Sequence, residues 1–286
     1  MNMYKPIDRH WKVLMWLPIL LLIFSVAILA YSLATTGEAL KKDIELSGGK
    51  LIEVEVGDVD LQKISSEMPY ASIRLISGVK KSLLVQFPVN MDENVVFEKL
   101  KTIADVKSDP SFRTIEPLLG DLFFQQTQIA LIIAFVFMSI VIFVLFRTLA
   151  PSIAVVLAAI TDIVVTIGIM NVFGIELSLP VVAALLTLIG YSVDTDILLT
   201  SRLLKSGSLT LEEIPERIDS AMKTGLTMTF TALAALSALY FIASSSVLHS
   251  IALVLIIGIV IDIFATWLTN AGILRLWLLR KSKRSS

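Results

Sequence analysis

The sequence predicts a polytopic α-helical membrane protein: six transmembrane helices, with one extracytoplasmic α+β domain inserted after the first. Three observations predict it. Of 286 residues, 56% are hydrophobic and only 17% charged, too apolar for a soluble domain on a single anchor. Six apolar runs each approach the roughly 20 residues that a bilayer requires. Between the first and second runs, residues 37–122 change character: charges become dense, and short segments alternate apolar with polar.

Taken in order, residues 1–36 hold Lys5, Arg9 and Lys12 and then an apolar run from Val13 to Ala34. The run exceeds the h-region of a cleaved signal peptide, and no A-x-A site follows, so it reads as an uncleaved first span. In residues 37–122, Lys50–Val56, Ala71–Ile76 and Leu83–Phe87 alternate with period two, as strands do. Asp60–Met68 and Asp92–Lys101 read as helices, with Asp60 placed to cap the first. Phe112–Pro117 reads as a last strand. The order β-α-β-β-α-β is that of a ferredoxin-like domain. Residues 123–286 hold five further spans: Gln126–Phe146, Ser152–Phe173, Leu179–Leu199, Thr224–Ser244 and Val247–Leu268, with apolar character continuing to Leu279. Pro151 and Pro180 sit at span starts, where a missing N–H is harmless. Residues 203–223 read as an amphipathic connection lying on the membrane surface.

Charge sets the expected orientation. Of 24 Lys and Arg, 11 lie in the inserted domain. The rest fall in the N-terminal tail, at Arg147, in residues 202–223 and in the C-terminal tail, and the short connections at 174–178 and 245–250 carry none. The positive-inside rule then places both termini in the cytoplasm and residues 37–122 outside. A net charge of −1 leaves no nucleic-acid footprint. There are no cysteines, two distant histidines and no G-x-x-x-x-G-K-[ST], so no thiolate or histidine metal site and no P-loop is expected.

The candidate functional residues are polar groups at membrane depth. Asp162 lies in the third span, Asp194 and Asp196 in the fourth, Asp262 in the sixth. A carboxylate at that depth costs roughly 2.5–3.5 kcal/mol on insertion scales and marks an ion relay or interhelical bonding. Asp194 is expected to be buried among apolar neighbours and to carry the relay. Gly190, one turn before it, is expected to admit a close neighbouring backbone, and Tyr191 shares its face. Asp196, six residues before Arg202, is expected to be partly hydrated or paired. Lys223 either snorkels or turns in to pair with Asp194 or Asp196. Gly258, Asp262 and Thr266, continued by Asn270, form a stripe at intervals of four, the mark of a helix contact face. Asp262 is expected mainly to serve packing.

Leu188–Arg202, with Gly190, Tyr191, Ser192 and Arg202, resembles the I-G-Y-S-x-N-D-T…R signature of the SecD/SecF family of protein-export membrane subunits, within the resistance–nodulation–division superfamily. Asp162 in AITDIVVTIG resembles the family's H-D-x-x-x-T-x-G segment. Gly48 and Gly49 in ELSGG resemble its D-F-T-G-G motif. The likeness extends over essentially the whole chain and is greater to archaeal than to bacterial members. It departs where N-D-T becomes Asp194-Thr195-Asp196, where Lys223 replaces an arginine, and where Asp262 replaces a glycine. The resemblance implies a non-enzymatic accessory of protein translocation in the cytoplasmic membrane, without cofactor. It implies SecD as partner, the Sec translocation channel and translocating polypeptides nearby, membrane lipid around it, and possible coupling to proton or sodium flow. Two other functions fit the residues less well: half of a small-solute exporter of the same superfamily, and an intramembrane aspartyl protease, whose Y-D and G-x-G-D contexts are missing.

Overall fold

A computed structural model describes residues 3–77, 81–204, 213–243 and 245–285. Of the expected surface connection at 203–223, residues 205–212 lie outside these residues, and from Ile214 onward it is not a separate surface segment but the start of a membrane-length helix.

The chain opens with a short amphipathic helix, α1 (Lys5–Leu14), which turns into the first membrane-length helix, α2 (Trp16–Thr36). Gly37, in the left-handed region at φ 79°, ends α2 by a bond from its N–H to Leu33 O. A four-residue helix, α3 (Ile44–Ser47), leads into β1 (Gly49–Glu55). The inserted domain continues through α4 (Leu61–Glu67), β2 (Ser72–Ser77), β3 (Lys81–Phe87), α5 (Glu93–Ile103) and β4 (Ser111–Ile115). Asp60 caps α4 by accepting from Gln62 and Lys63 N–H, and Asp92 caps α5 by accepting from Asn94 N–H. The strands form one antiparallel sheet in the order β2-β3-β1-β4. The register sets Ile52 opposite Val85 and Val54 opposite Leu83. Their shared face packs with Ile64 of α4 and Val96 and Leu100 of α5, which closes the ferredoxin-like core.

Five long helical segments follow: α6 (Pro117–Phe146), α7 (Leu149–Phe173), α8 (Leu179–Leu204), α9 (Ile214–Ile242) and α10 (Ser246–Phe264). A π-helical stretch (Ala265–Asn270) carries α10 on into α11 (Ala271–Ser285). With α2 these make six helical segments long and apolar enough to cross a membrane. At about 1.5 Å per residue α6 is roughly 45 Å long, so it outruns the hydrocarbon layer at one end. The bundle core is α7, α8 and α10, while α2, α6 and α9 turn long apolar faces outward. Small residues set the approaches. A Cβ at Gly168 would strike Ser25 of α2, one at Gly225 would strike Trp267, and one at Gly258 would strike Leu188.

The domain is tied to the bundle at one end of α7 and α8. Asp43 N–H bonds Leu177 O and Leu177 N–H bonds Lys41 O, both at 2.8 Å. Asn171 at the end of α7 donates to Ala39 O at 2.6 Å, and Glu45 accepts from Leu179 N–H at 3.0 Å. Arg74 of β2 pairs with Glu176 at 2.7 Å, and Glu176 also accepts from Ser72 at 3.2 Å. Gly48 and Gly49 both have positive φ. Gly48 lies against Pro117, where a Cβ would overlap backbone, so the glycine pair presses the domain onto the start of α6.

Candidate functional site

Three carboxyl groups meet at the centre of the bundle. Asp162 comes from α7, Asp196 from α8 and Asp262 from α10, with exposures of 0%, 0% and 1%. Each is delivered by helix periodicity. Asp262 and Thr266 lie four residues apart, as do Thr266 and Asn270. On an α-helix each such step drifts about 40° round the axis. The π-helical stretch takes more than four residues per turn, so it turns Asn270 back toward the line of Asp262. Asp262, Thr266 and Asn270 thus all face Asp196.

The bonding is dense. Asn270 Nδ2 donates to Asp196 Oδ1 at 2.6 Å. Thr266 Oγ1 lies 2.9 Å from both Asp196 Oδ1 and Asp262 Oδ1. Thr195 Oγ1 lies 2.8 Å from Ser192 O and 3.0 Å from Asp262 Oδ2. Ser192 Oγ donates to Asp162 Oδ2. The Asp196 and Asp262 carboxyls share the Thr266 hydroxyl and so lie close together. Donors are scarcer than acceptors: each hydroxyl has one proton to share among two or three neighbouring oxygens. Among the described residues no donor bonds Asp162 Oδ1 or Asp196 Oδ2. Among the described residues no Lys, Arg or His bonds to any of the three acids. Nor is there, among the described residues, a group of three or more His, Cys, Asp or Glu fit to hold a metal ion.

Several expected placements are corrected. Asp194 is not buried: it is exposed on the outer face of α8, in line with Ala183, Thr187 and Gly190. The cause is periodicity, because the helix turns Ser192, Thr195 and Asp196 inward and Asp194 away. Gly190 has nothing within 4 Å of where a Cβ would lie, so no neighbouring backbone approaches it. Tyr191 is half-buried beside the apolar core of α7, α8 and α10. Asp196 is fully buried rather than open to bulk solvent, and it does not pair with Arg202, whose guanidinium bonds Ser220 at 3.0 Å. Lys223 meets neither Asp194 nor Asp196. It pairs with Asp219, one turn back on α9, at 2.5 Å. Asp262 is a full member of the cluster rather than a packing residue alone. Gly258, one turn before it, seats Leu188 of α8 and so brings α8 and α10 close enough for Thr195 and Asp196 to reach Asp262.

The cluster is shut on both sides. Toward α1 a packed layer includes Tyr4, Leu199, Leu203, Trp267 and Leu274. Toward the domain Leu185, Leu188, Val254 and Ile259 pack together. The α1 helix is pinned under the bundle: Tyr4 N–H bonds Asp219 at 2.8 Å, Arg275 pairs with Asp8, and the Arg275 guanidinium stacks 4.7 Å from the Trp11 ring. Sequence reasoning missed α1 as a separate element, the π-helix, Thr200 and Glu176. Glu176 had a signal, being the one acid in an otherwise uncharged connection.

The description "Protein export membrane protein SecD/SecF, C-terminal" matches residues 95–280. The chain belongs to the SecD/SecF family. It is 39% identical over 282 residues to the protein-export membrane protein SecF of Methanothermobacter thermautotrophicus, covering 95% of both chains. It is 39% identical over 270 residues to that of Pyrococcus furiosus, covering 91% of this chain and 90% of the other. In fold it is similar to the crystal structure of SecDF, a translocon-associated membrane protein, from Thermus thermophilus. There the TM-score is 0.78 at 21% identity, over 98% of this chain and 39% of the SecDF chain. SecDF in a super-membrane-facing form gives a TM-score of 0.57 at 18% identity, over 95% of this chain and 39% of that one. The six membrane-length helices and the inserted sheet domain are therefore the architecture of a SecD/SecF family member.

Proposed function

We propose that this chain is a non-enzymatic accessory subunit of the Sec export machinery that works with SecD to promote protein translocation, and that its buried carboxyl cluster stores the proton that drives it. The observation that carries the second part is the shortage of donors. Two buried carboxyl groups bridged by the one Thr266 hydroxyl, with no cation among the described residues bonded to them, cannot both be ionised without a large electrostatic cost, so one proton is held in the cluster. A proton held in this way is given up when a conformational change wets the site. Near-complete burial of the acids argues against peptide-bond cleavage, which needs a substrate beside them.

The reading of the chain as residues 1–36, 37–122 and 123–286 follows, with both termini cytoplasmic, the middle part outside and the distribution of Lys and Arg as support. The face turned toward SecD is the polar stripe of α8 and α9. Thr187, Gly190 and Asp194 are exposed on α8, and Lys223, Thr224, Thr227 and Thr231 on α9. Polar groups at such positions on membrane helices call for a protein neighbour rather than lipid. The test is a pair of variants in the complex with SecD. Asp262→Asn is expected to co-purify with SecD and lose the stimulation of export. Asp194→Leu is expected to lose SecD while the chain itself stays folded. Full export by Asp262→Asn would remove the proton from the function, and unchanged co-purification of Asp194→Leu would remove this face.

A further inference from the structure

On the α1 side of the cluster three fully buried side chains each keep one polar atom that makes no hydrogen bond among the described residues: Asp196 Oδ2, Thr200 Oγ1 and Asn270 Oδ1. The amide orientation of Asn270 is fixed, because its Nδ2 donates to Asp196 Oδ1 at 2.6 Å and its Oδ1 therefore points away. Thr200 is the unusual one. A buried helical threonine normally satisfies its hydroxyl by bonding back to the carbonyl four residues earlier. Thr161, Thr166 and Thr229 do so here, at 2.8, 2.6 and 2.9 Å. Thr200 does not use the carbonyl four residues before it, which belongs to Asp196, and leaving a buried hydroxyl unbonded is costly. Side chains four apart on a helix have Cβ atoms about 5–6 Å apart. One water, making two bonds of about 2.8 Å, spans such a gap.

We propose that Asp196, Thr200 and Asn270 enclose a bound water that is the passage for protons between the carboxyl cluster and the α1 side, with Thr200 as its relay hydroxyl. The water donates one hydrogen bond to Asn270 Oδ1, an acceptor only, and turns its other proton to Asp196 Oδ2. The hydroxyl of Thr200 passes its own proton to the water and takes one from the α1 side, so the water and the hydroxyl end with the protons they began with and the Asp196 carboxylate gains one; the reverse sequence releases it. Closure is set by the same turn of helix. Thr269, next to Asn270, donates to Met15 O at 2.9 Å, where α1 joins α2. Tyr4, Leu203 and Trp267 lie in the apolar layer beyond Thr200. Displacing α1 therefore opens the route to Thr200 and pulls on the π-helical residues that hold Asn270 against Asp196.

This rests on the cluster storing a proton, and the experiment separates the two. Infrared spectra of the intact complex with SecD, in lipid nanodiscs, follow deuteration of the protonated carboxyl band after transfer to D₂O. The band is assigned by its loss in Asp262→Asn. Thr200→Val keeps the shape without the hydroxyl and is expected to slow deuteration about tenfold, the kinetic equivalent of one hydrogen bond. Thr200→Ser is expected to deuterate at the original rate, and co-purification with SecD checks that each variant is assembled. If Thr200→Val disrupts assembly, Thr200→Ala makes the same comparison. Deuteration at the original rate without the hydroxyl would overturn the passage while leaving the proton store intact. A wild-type complex with no carboxyl band sensitive to Asp262→Asn would overturn the store, and the passage with it.

Discussion

Replacing Asp262 by asparagine separates what the cluster holds together from what it does. The two hydroxyls that reach Asp262 both have other acceptors. Thr266 is also 2.9 Å from Asp196 Oδ1, and Thr195 is 2.8 Å from Ser192 O. Asparagine keeps one of the two acceptor oxygens and brings two N–H donors into a cluster where carboxyl oxygens lack them. The lost bond and the gained bond are each worth about 1 kcal/mol, so the net change in stability is expected to stay within about 1 kcal/mol of zero. Replacement by leucine differs, because it removes the bonds from Thr195 and Thr266 and supplies no donor in their place, at a cost of about 1–3 kcal/mol. Thermal unfolding of the purified complex with SecD reads both values, and secretion of a reporter protein reads function. The expected pattern is Asp262→Asn with an unchanged midpoint and lost stimulation of export, and Asp262→Leu with a lowered midpoint as well. A large fall in midpoint for Asp262→Asn would mean that the acid is an ionised structural partner and that the donor count is wrong.

Asn270→Leu deletes the 2.6 Å bond to Asp196 and is expected to cost about 1.5–3 kcal/mol, seen as an earlier unfolding midpoint. Gly258→Leu drives a side chain into Leu188 across the α8–α10 contact and is expected to cost at least about 1–3 kcal/mol in the same assay. Docking of the domain is expected to depend on pH through Glu176. Burial holds its carboxyl above the ordinary value of 4.5, with the nearby Arg74 opposing; Asp43 pushes the same way as burial, while Ser72 and Lys41 oppose it. The docked state therefore takes up a proton more readily than the undocked one. Docking strengthens as pH falls through that raised value toward 4.5 and weakens as it rises back. Distances between spin labels on the domain and on the α7–α8 turn are expected to shorten on acidification, and Glu176→Gln to abolish the trend.

Much of this was legible in the sequence. Six spans and the β-α-β-β-α-β order follow from run length and from period-two alternation, which depend on local chemistry. The caps at Asp60 and Asp92 are equally local. The site was legible by residue type and not by direction. Asp194 and Asp196 are two apart, which on a helix means about 200° of rotation, so burial of one nearly forbids burial of the other. Choosing between them needs the neighbouring helices. Asn270 and Thr266, which hold Asp196, come from a segment seventy or more residues later. The stripe of four at Gly258, Asp262 and Thr266 did point to that face. What it did not carry was the π-helix, since nothing in ATWLTN marks an i→i+5 turn before the packing of Trp267 against Gly225 is known.

The same two helices serve both ends of the molecule. α7 carries Asp162 and α8 carries Asp196, and the turn that joins them bonds to Lys41, Asp43 and Arg74. A change at the acids that shifts α7 against α8 must displace this turn, and the turn cannot move without breaking the Arg74–Glu176 pair or carrying β2 along. The alternative, a domain free to move on a flexible tether, is argued against by the backbone bonds on both sides of Leu177 and by the fit of Gly48 on Pro117. Packed interfaces of this kind have discrete arrangements rather than a continuous range of them. On the proposed function, a proton added to the cluster therefore biases a choice between docked and undocked positions of the domain, which is the form that work on a polypeptide outside the membrane requires.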